Sequence, residues 1–594
     1  MNLTPEQREI GKENYYEAVG SSRRDFLKGV IASGAVAGGA GLGATYFKYS
    51  KVGDPLRIGI IGTGDEGQVL IGAINPDYVQ VKAIADIRPY NVHRAFHGDW
   101  GSPAQLANRP GLIAKYQWQS EDEARKNVKV YDQDYHDLLK DKDIEAVIIA
   151  LPLHLHAKVT IEALQAGKHV LCEKLMAHNI AQCKMMGRFA AEKNMYLAIG
   201  HQRHYSMLYD NAVNLMQWGL LGQLHHIRAQ WHRGNLPGKD SWQPPLPGGE
   251  VNKRDGVRED TIATDLERFE KALAKENDPT KVRELEHKVA QWRIWDADKN
   301  VKAEDYGYQH ITLQSGTRSA YEELARWRLW ERTGGGLMAE LGSHQLDAAS
   351  IFCSALRKDG KKAHPLTVHA VGGRHIFPLD RDAEDHVYCM FEFPGPDYEP
   401  DFPVGYKDEV MGEPDPKGIP GFDRDPNKKI VVTYSSINGN GFGGYGEVVM
   451  GTRGTLILER EQEVLLFKDA ETSSKISVKN DKGGPTLDTQ ASGGPAAAVA
   501  KTASSGPVSK GYTEEIEHWA YCIREKAPRE SLRCRPEVAL GDAVIALTTN
   551  VAIKKNILGE AGYVKFKDEW YDLASDETPD GSSLEKEYQK LVNG

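Results

Sequence analysis

The stretch Leu56-Arg57-Ile58-Gly59-Ile60-Ile61-Gly62-Thr63-Gly64-Asp65-Glu66-Gly67 decides the fold of the first half of this chain. Its opening residues form a short apolar run, as a strand buried on both faces requires. The run leads into G-x-G-x-x-G, and a helical pattern follows. In that setting Gly62 permits a tight turn, Gly64 lets the backbone approach a pyrophosphate, and Gly67 allows close helix packing. The pyrophosphate would sit at the positive end of the helix. A second strand, Val79 to Ile87, ends in Asp86, placed 19 residues after Gly67. An acid there can accept hydrogen bonds from an adenosine ribose and would repel a 2′-phosphate, which favours NAD over NADP. Arg88 is near enough to blunt that preference.

Outward from this unit the pattern repeats. Ile144 to Leu151 is another apolar run, Ala157 to Ala166 has helical spacing, and His169 to Glu173 is a strand. Strands alternating with helices predict parallel βαβ units. The polar segment Phe96 to Asn127 is expected to decorate a loop. Beyond residue 177 the texture changes. Strands are expected at Val368–Gly373, His386–Phe393, Ile430–Tyr434, Glu447–Met450 and Thr455–Glu459, with Gly451 to Gly454 as a turn. The fold class is therefore α/β plus α+β: an N-terminal Rossmann dinucleotide-binding domain over 55–176, and a C-terminal α+β domain with a large, mostly antiparallel open sheet over 177–565.

The second domain carries a charged insertion, 235–333, whose Asp265 to Val289 part reads as a solvated helix. Trp292-Arg293-Ile294-Trp295 and Trp327-Arg328-Leu329-Trp330 echo one another. Core packing is the first explanation for their tryptophans, with an aromatic platform for a sugar ring as the other. The Gly/Pro/Ala/Ser-rich segment 483–510 reads as a flexible linker. From Tyr512 helical texture returns, with Ile516, Trp519, Ala520 and Ile523 on one face, and 566–594 is a tail.

Three segments then bring a resemblance into view: Ala150-Leu151-Pro152-Leu153-His154-Leu155-His156, Ala166-Gly167-Lys168-His169-Val170-Leu171-Cys172-Glu173-Lys174, and Gly334-Gly335-Gly336 through Glu340 and His344 to Asp347. Together and in this order they resemble the Gfo/Idh/MocA oxidoreductases, over roughly 56–230 and 330–560. The resemblance implies that Lys174 lies near the nicotinamide and the reacting hydroxyl, that Glu173 contacts the cofactor, and that His344 is the general acid/base. Glu340 stands where many members have Asp, and Asp347 matches a later Asp assigned to substrate. Leu153 and Leu175 replace the family's usual Asn and Pro. Gly200-His201-Gln202-Arg203-His204-Tyr205 resembles a further family segment. It implies Gln202 at the cofactor and Arg203, His204 and Tyr205 at the substrate, with an arginine capping the strand end as the alternative for Arg203. The open sheet implies a homo-oligomer.

The chemistry of these residue types agrees. Taking hydride from a secondary alcohol requires its hydroxyl proton to leave, and histidine has a suitable pKa. A lysine ammonium can hydrogen-bond the oxygen as negative charge develops. Glu340 and His344 are four apart and would share a helix face.

Ahead of the Rossmann unit, Ser22-Arg23-Arg24-Asp25-Phe26-Leu27-Lys28 precedes a Gly/Ala-rich apolar run to Phe47. This reads as a twin-arginine export signal over 1–50, engaging the twin-arginine machinery and giving a periplasmic or exported protein, freed or tethered to the membrane by this segment. Net charge is −10 in 594 residues, so no basic stripe supports a nucleic-acid partner. The six cysteines form no CxxC pair; no metal site is expected, and free buried thiols are preferred to disulfides. The leading functional expectation is an exported NAD-dependent oxidoreductase acting on a secondary hydroxyl of a sugar, polyol or glycoside, with tightly held cofactor. Two others stay open: an NAD-dependent glycosidase working by transient oxidation and elimination, and a non-catalytic sugar-binding protein.

Overall fold

The computed structural model describes residues 3–32, 42–251, 256–314, 316–357, 359–399, 428–481, 484–488 and 510–593. The first sheet is parallel and six-stranded, in the order β3-β2-β1-β4-β5-β6: β1 is Leu56–Ile61, β2 Val79–Ala85, β3 Lys129–Tyr131, β4 Ala146–Ile149, β5 His169–Glu173 and β6 Leu197–Gly200. The order reverses at β1/β4, and the Gly-rich turn leaves β1 at that crevice, where ligands of open parallel sheets bind. Apolar side chains of β1 and β4 are sealed on both faces by helices. One of those helices is distant in sequence: Tyr512–Arg524 (α9) returns from the far end of the chain and buries Ile516, Trp519, Ala520 and Ile523 against the nucleotide sheet. The single apolar face read from the sequence is what permits this.

The second sheet has eight strands, ordered β13-β12-β11-β7-β10-β9-β8-β14. Here β7 is Leu224–Arg233, β8 Thr367–Gly373, β9 His386–Pro394, β10 Lys429–Asn438, β11 Tyr445–Gly451, β12 Gly454–Glu459, β13 Glu463–Lys468 and β14 Tyr563–Lys565. Every pairing is antiparallel except β7 with β10. In β10 burial alternates strictly, the pattern of a sheet with one face on the core. That inner face packs on helices Ser343–Ser354 (α8) and Pro536–Ile557 (α10). Helix α10 is long and apolar enough to cross a membrane, but most of it is buried inside the protein.

Several expectations change. Strand β7, central in the sheet, did not stand out in the sequence because its His, Arg and Gln residues interrupt the apolar alternation. The segment 96–127 is not a loop: it folds into Pro103–Asn108, Gly111–Tyr116 and Glu121–Asn127, with Leu112 and Ala124 anchoring it in the core. In the insertion, Thr261–Leu273 (α6) and Pro279–Ala297 (α7) pack together, and α7 leans on Pro89–His97 (α3) of the nucleotide domain. It is therefore solvated on only part of its surface. Part of the expected linker forms a hairpin, Ser477–Asp481 with Gly484–Asp488, while 489–509 lies outside the described residues. The tail packs back too: Gln182 donates to Glu587, and Asp580 accepts from the Ile180 backbone. All six cysteines are free and buried.

The N-terminal segment is built into the body. Helix Pro5–Ala32 (α1) lies on β13, with Arg8 paired to Glu459 and Glu463. Asn14, 2% exposed, donates to the Leu466 and Ser474 carbonyls and accepts from Ile476 N–H. The twin-arginine string falls in the second half of α1, and part of the apolar run, 33–41, lies outside the described residues.

Candidate active site

The glycine loop is shaped by contact. A Cβ on Gly62 would meet the Ala150 carbonyl oxygen at 2.3 Å, and one on Gly67 would meet the Gly62 oxygen at 2.2 Å. Gly62 also has φ +90°. At Gly64 the nearest atom would be 3.8 Å away, so the space there is open. Gly64 is the N-cap of helix Asp65–Ala73 (α2), and no side chain caps its first N–H groups. An open cradle at an uncapped helix start suits a dinucleotide pyrophosphate. Two acids in the first turn, Asp65 and Glu66, oppose it. Arg94 at 2.9 Å and Arg109 at 3.5 Å hold Asp65, and these cations outweigh burial to keep its pKa low. Glu66 is shifted the other way: burial favours its neutral form despite Lys174 and the Tyr512 hydroxyl. The loop therefore presents little net negative charge to an anion.

Asp86, just past β2, accepts from Thr63 N–H at 2.8 Å and Arg88 N–H at 2.9 Å, so it braces the loop. Arg88 does not face that carboxylate's far side. Its guanidinium turns to Asp298 of the insertion, 2.8 Å away and 0% exposed, between the rings of Tyr90 and Tyr321. The buried partner withdraws the one cation expected to accommodate a 2′-phosphate. Beside it Trp295 stacks on Tyr90, centroids 4.6 Å apart, so the insertion closes over this edge of the nucleotide domain.

At the end of β5, Lys174 Nζ donates to the Glu340 carbonyl oxygen at 2.9 Å and lies 3.9 Å from Glu340 Oε2. The Lys174–Leu175 peptide is cis. Glu340 Oε1 accepts from Arg328 Nε at 2.6 Å. Burial alone would raise the Glu340 pKa, but Arg328 and Lys174 bring it down to about 2, so it is a carboxylate. Glu340 sits on a π-helical turn, Met338–Gly342, that feeds α8. From there its carboxylate meets Arg328 and approaches Lys174. His344, in the first turn of α8, is 8% exposed, with Trp231 of β7 5.4 Å away between ring centroids. Burial, then the charges of Lys174 and Arg203, hold its pKa well below the usual value. It is a neutral imidazole able to accept a proton.

Glu173 is buried; burial and Glu66 push its pKa well up. Its neighbour from α9, Glu515, is shifted the same way by burial. Gln202 donates to the Tyr512 hydroxyl at 3.3 Å. Thus Glu66, Glu173, Gln202 and the α9 residues Tyr512 and Glu515 share one buried polar region behind the glycine loop.

The segment expected to touch substrate is placed differently. Arg203 is 2% exposed and bonded to Glu461 at 2.8 Å. Tyr205 is 0% exposed, and its hydroxyl accepts from Arg533 N–H. His204 is bonded to Asp347 at 3.0 Å, and Asp347 also takes Lys362 Nζ at 2.6 Å. Packing and internal ion pairs hold these four, although Arg203 lies 5.8 Å from the Trp231 ring and its charge acts on His344. The cleft also gains Arg233, Arg328 and Trp231. Arg233 Nε is buried without a partner. Sequence reasoning missed Arg233 and Trp231 with their strand. Arg328 was quoted only inside an aromatic repeat, whose Trp330 is core at 1% exposed.

A parallel sheet, a switch-point glycine cradle and a mixed-sheet partner define a two-domain dinucleotide-binding protein. Residues 56–201 match the model of the Gfo/Idh/MocA oxidoreductase family, with its NAD-binding Rossmann fold. An uncharacterized oxidoreductase of Schizosaccharomyces pombe is 36% identical over 123 residues, 20% of this chain and 33% of that protein. The inositol 2-dehydrogenase of Salmonella paratyphi B is 41% identical over 92 residues, 15% of this chain and 27% of that one. A glycosyl hydrolase family 109 protein of Solibacter usitatus is 25% identical over 391 residues, 54% of this chain and 84% of that one. The chain spans about a third of the length of the first of these relatives.

Proposed function

We propose that this protein is an exported NAD-dependent oxidoreductase acting on a secondary hydroxyl of a sugar, polyol or glycoside. The observation that carries the reading is an ammonium, Lys174, fixed by Glu340 beside the neutral imidazole of His344, at the C-terminal edge of the nucleotide sheet. NAD, when bound, supplies the hydride acceptor. The protein's share is acid–base work and positioning. His344 takes the hydroxyl proton, and Lys174 donates a hydrogen bond to the oxygen as charge builds. Glu340 keeps Lys174 oriented; Arg233 and Arg328 offer donors to neighbouring hydroxyls. The likeness to an inositol 2-dehydrogenase supports a polyol-like substrate. The Arg88–Asp298 pair and the Tyr90–Trp295 stack support slow release of the cofactor, which export demands because no soluble NAD pool lies outside. Export by the twin-arginine route rests on the 22–28 string; a paired Arg23→Lys, Arg24→Lys change should leave the protein in the cytoplasm on fractionation.

A glycosidase working by transient oxidation and elimination is the second reading. It is favoured by the span of the alignment with the family 109 protein, 54% of this chain. One experiment separates the two. The purified protein is denatured and assayed for released nucleotide, then screened with polyols, sugars and aryl glycosides. Reduced nicotinamide with a polyol or sugar establishes oxidoreduction; aglycone release without net reduction selects the glycosidase. No bound nucleotide and no binding of added NAD refutes both.

A further inference from the structure

Near the start of α8 three side chains from three elements converge. His201 follows β6, Asp347 is on α8 one turn after His344, and Asp542 is on α10. Their relative exposures are 1%, 1% and 0%. One ligand-type atom from each lies within 4.8 Å of the other two. His201 Nε2 is 3.0 Å from Asp542 Oδ2, yet the two are not aligned as a hydrogen bond, and His201 Nδ1 stands 3.8 Å from Asp347 Oδ2. His201 Nδ1, Asp347 Oδ2 and Asp542 Oδ1 are buried with no hydrogen-bond partner, and His201 Nε2 and Asp542 Oδ2 have only each other. Leaving such groups unmade costs about 1–3 kcal/mol each, so a cluster of them calls for an occupant.

The other oxygen of Asp347 is fully engaged, by Lys362 at 2.6 Å and His204 at 3.0 Å. This is how metal-ligating carboxylates are commonly oriented, by hydrogen bonds to the oxygen that does not bind. It leaves Oδ2 directed inward. The composition points the same way: two acids, Asp347 and Asp542, share this buried cluster with the Lys362 ammonium. One imidazole nitrogen with two carboxylate oxygens is a borderline-hard donor set suited to Zn2+ or Mn2+.

We infer that His201, Asp347 and Asp542 form a binding site for a divalent first-row cation. The ion would tie the end of the nucleotide sheet to α8 and α10, fixing the helix that carries His344. Its role is positional, acting through the single turn of α8 that separates Asp347 from His344. The cysteine and histidine spacings gave no hint of it, because the ligands meet only through the packing of two domains.

The test uses the full chain without an affinity tag. The protein is stripped with EDTA, dialysed against Zn2+ or Mn2+, desalted, and its metal content and unfolding midpoint are measured. The expected result is about one ion per chain and a raised midpoint, as for any ligand that binds only the folded state. His201→Ala and the near-isosteric Asp542→Asn should each lose the ion and the midpoint shift. Wild-type protein that takes up no ion and shows no shift overturns the site, as does uptake that both variants retain. Metal content is read without turnover, so failure here leaves the oxidoreductase reading standing.

Discussion

Two clusters one turn apart on helix α8 carry opposite electrostatics. On the cleft side Lys174, Arg328 and Arg233 surround one carboxylate, Glu340, while burial and then the charges of Lys174 and Arg203 hold His344 neutral. In the other cluster Asp347 and Asp542 face Lys362 alone, with His201 and His204 between them. One turn of helix separates a site that resists a proton from one that calls for positive charge. The same residue types thus serve different ends, decided by which partners the fold delivers.

The largest effects should come from breaking the cleft side. His344→Ala should lower kcat by about 10²–10⁴-fold and Lys174→Ala by about 10²–10³-fold, in steady-state assays on any accepted substrate. Bound nucleotide should remain. Near-normal rates would remove both assignments. Glu340→Gln keeps the shape but loses the charge that orients Lys174 and Arg328. A charged hydrogen bond worth about 1.5–3 kcal/mol corresponds to a loss of roughly 10–100-fold in kcat/KM.

The pH profile sharpens the contrast. His344 has a lowered pKa, so its neutral form persists below pH 6.5, and kcat/KM should hold its neutral-pH value through that point. An acid limb centred at 6.5 or higher would show that the cleft cations do not control it. The sign for stability follows from linkage. Below pH 6.5 the unfolded chain binds a proton at this position and the folded chain does not. Wild type should therefore lose stability relative to His344→Gln as pH falls from 7.5 to 5.5, by at most about 1.4 kcal/mol per pH unit. Urea midpoints of the two proteins across that range measure it.

The smallest effect on rate belongs to the Asp347 cluster. Lys362→Met removes its only ammonium and leaves Asp347 underpaired, which should lower stability by about 1–3 kcal/mol while turnover changes less than about tenfold. A turnover loss as large as that of Lys174→Ala would mean that the two clusters act as one site.

The nucleotide half was legible because its signals are local. A buried parallel strand needs a continuous apolar run, and a tight turn against a helix needs glycine, so 56–67 carries its fold within a dozen positions. The second sheet was half legible: β8 to β10 alternate, β11 and β12 carry apolar runs, and all five were found, whereas β7 was hidden by its interrupting polar residues. Arg203, His204, Tyr205 and Asp347 looked like substrate contacts from their neighbours in sequence, but each is fixed by a partner far along the chain, such as Glu461 or Lys362.

By itself the sequence determined the Rossmann unit, its NAD cofactor and the apolar face of α9, which follow from spacing, since strand, turn and helix chemistry act over a few residues; Lys174 and His344 were singled out by a family resemblance. Only the tertiary structure decided that Arg88 is withdrawn by Asp298, that the insertion closes over the nucleotide edge, and that His201, Asp347 and Asp542 meet. Charge and burial depend on distances through space, and those distances are set by how two sheets, an insertion and a returning C-terminal helix pack.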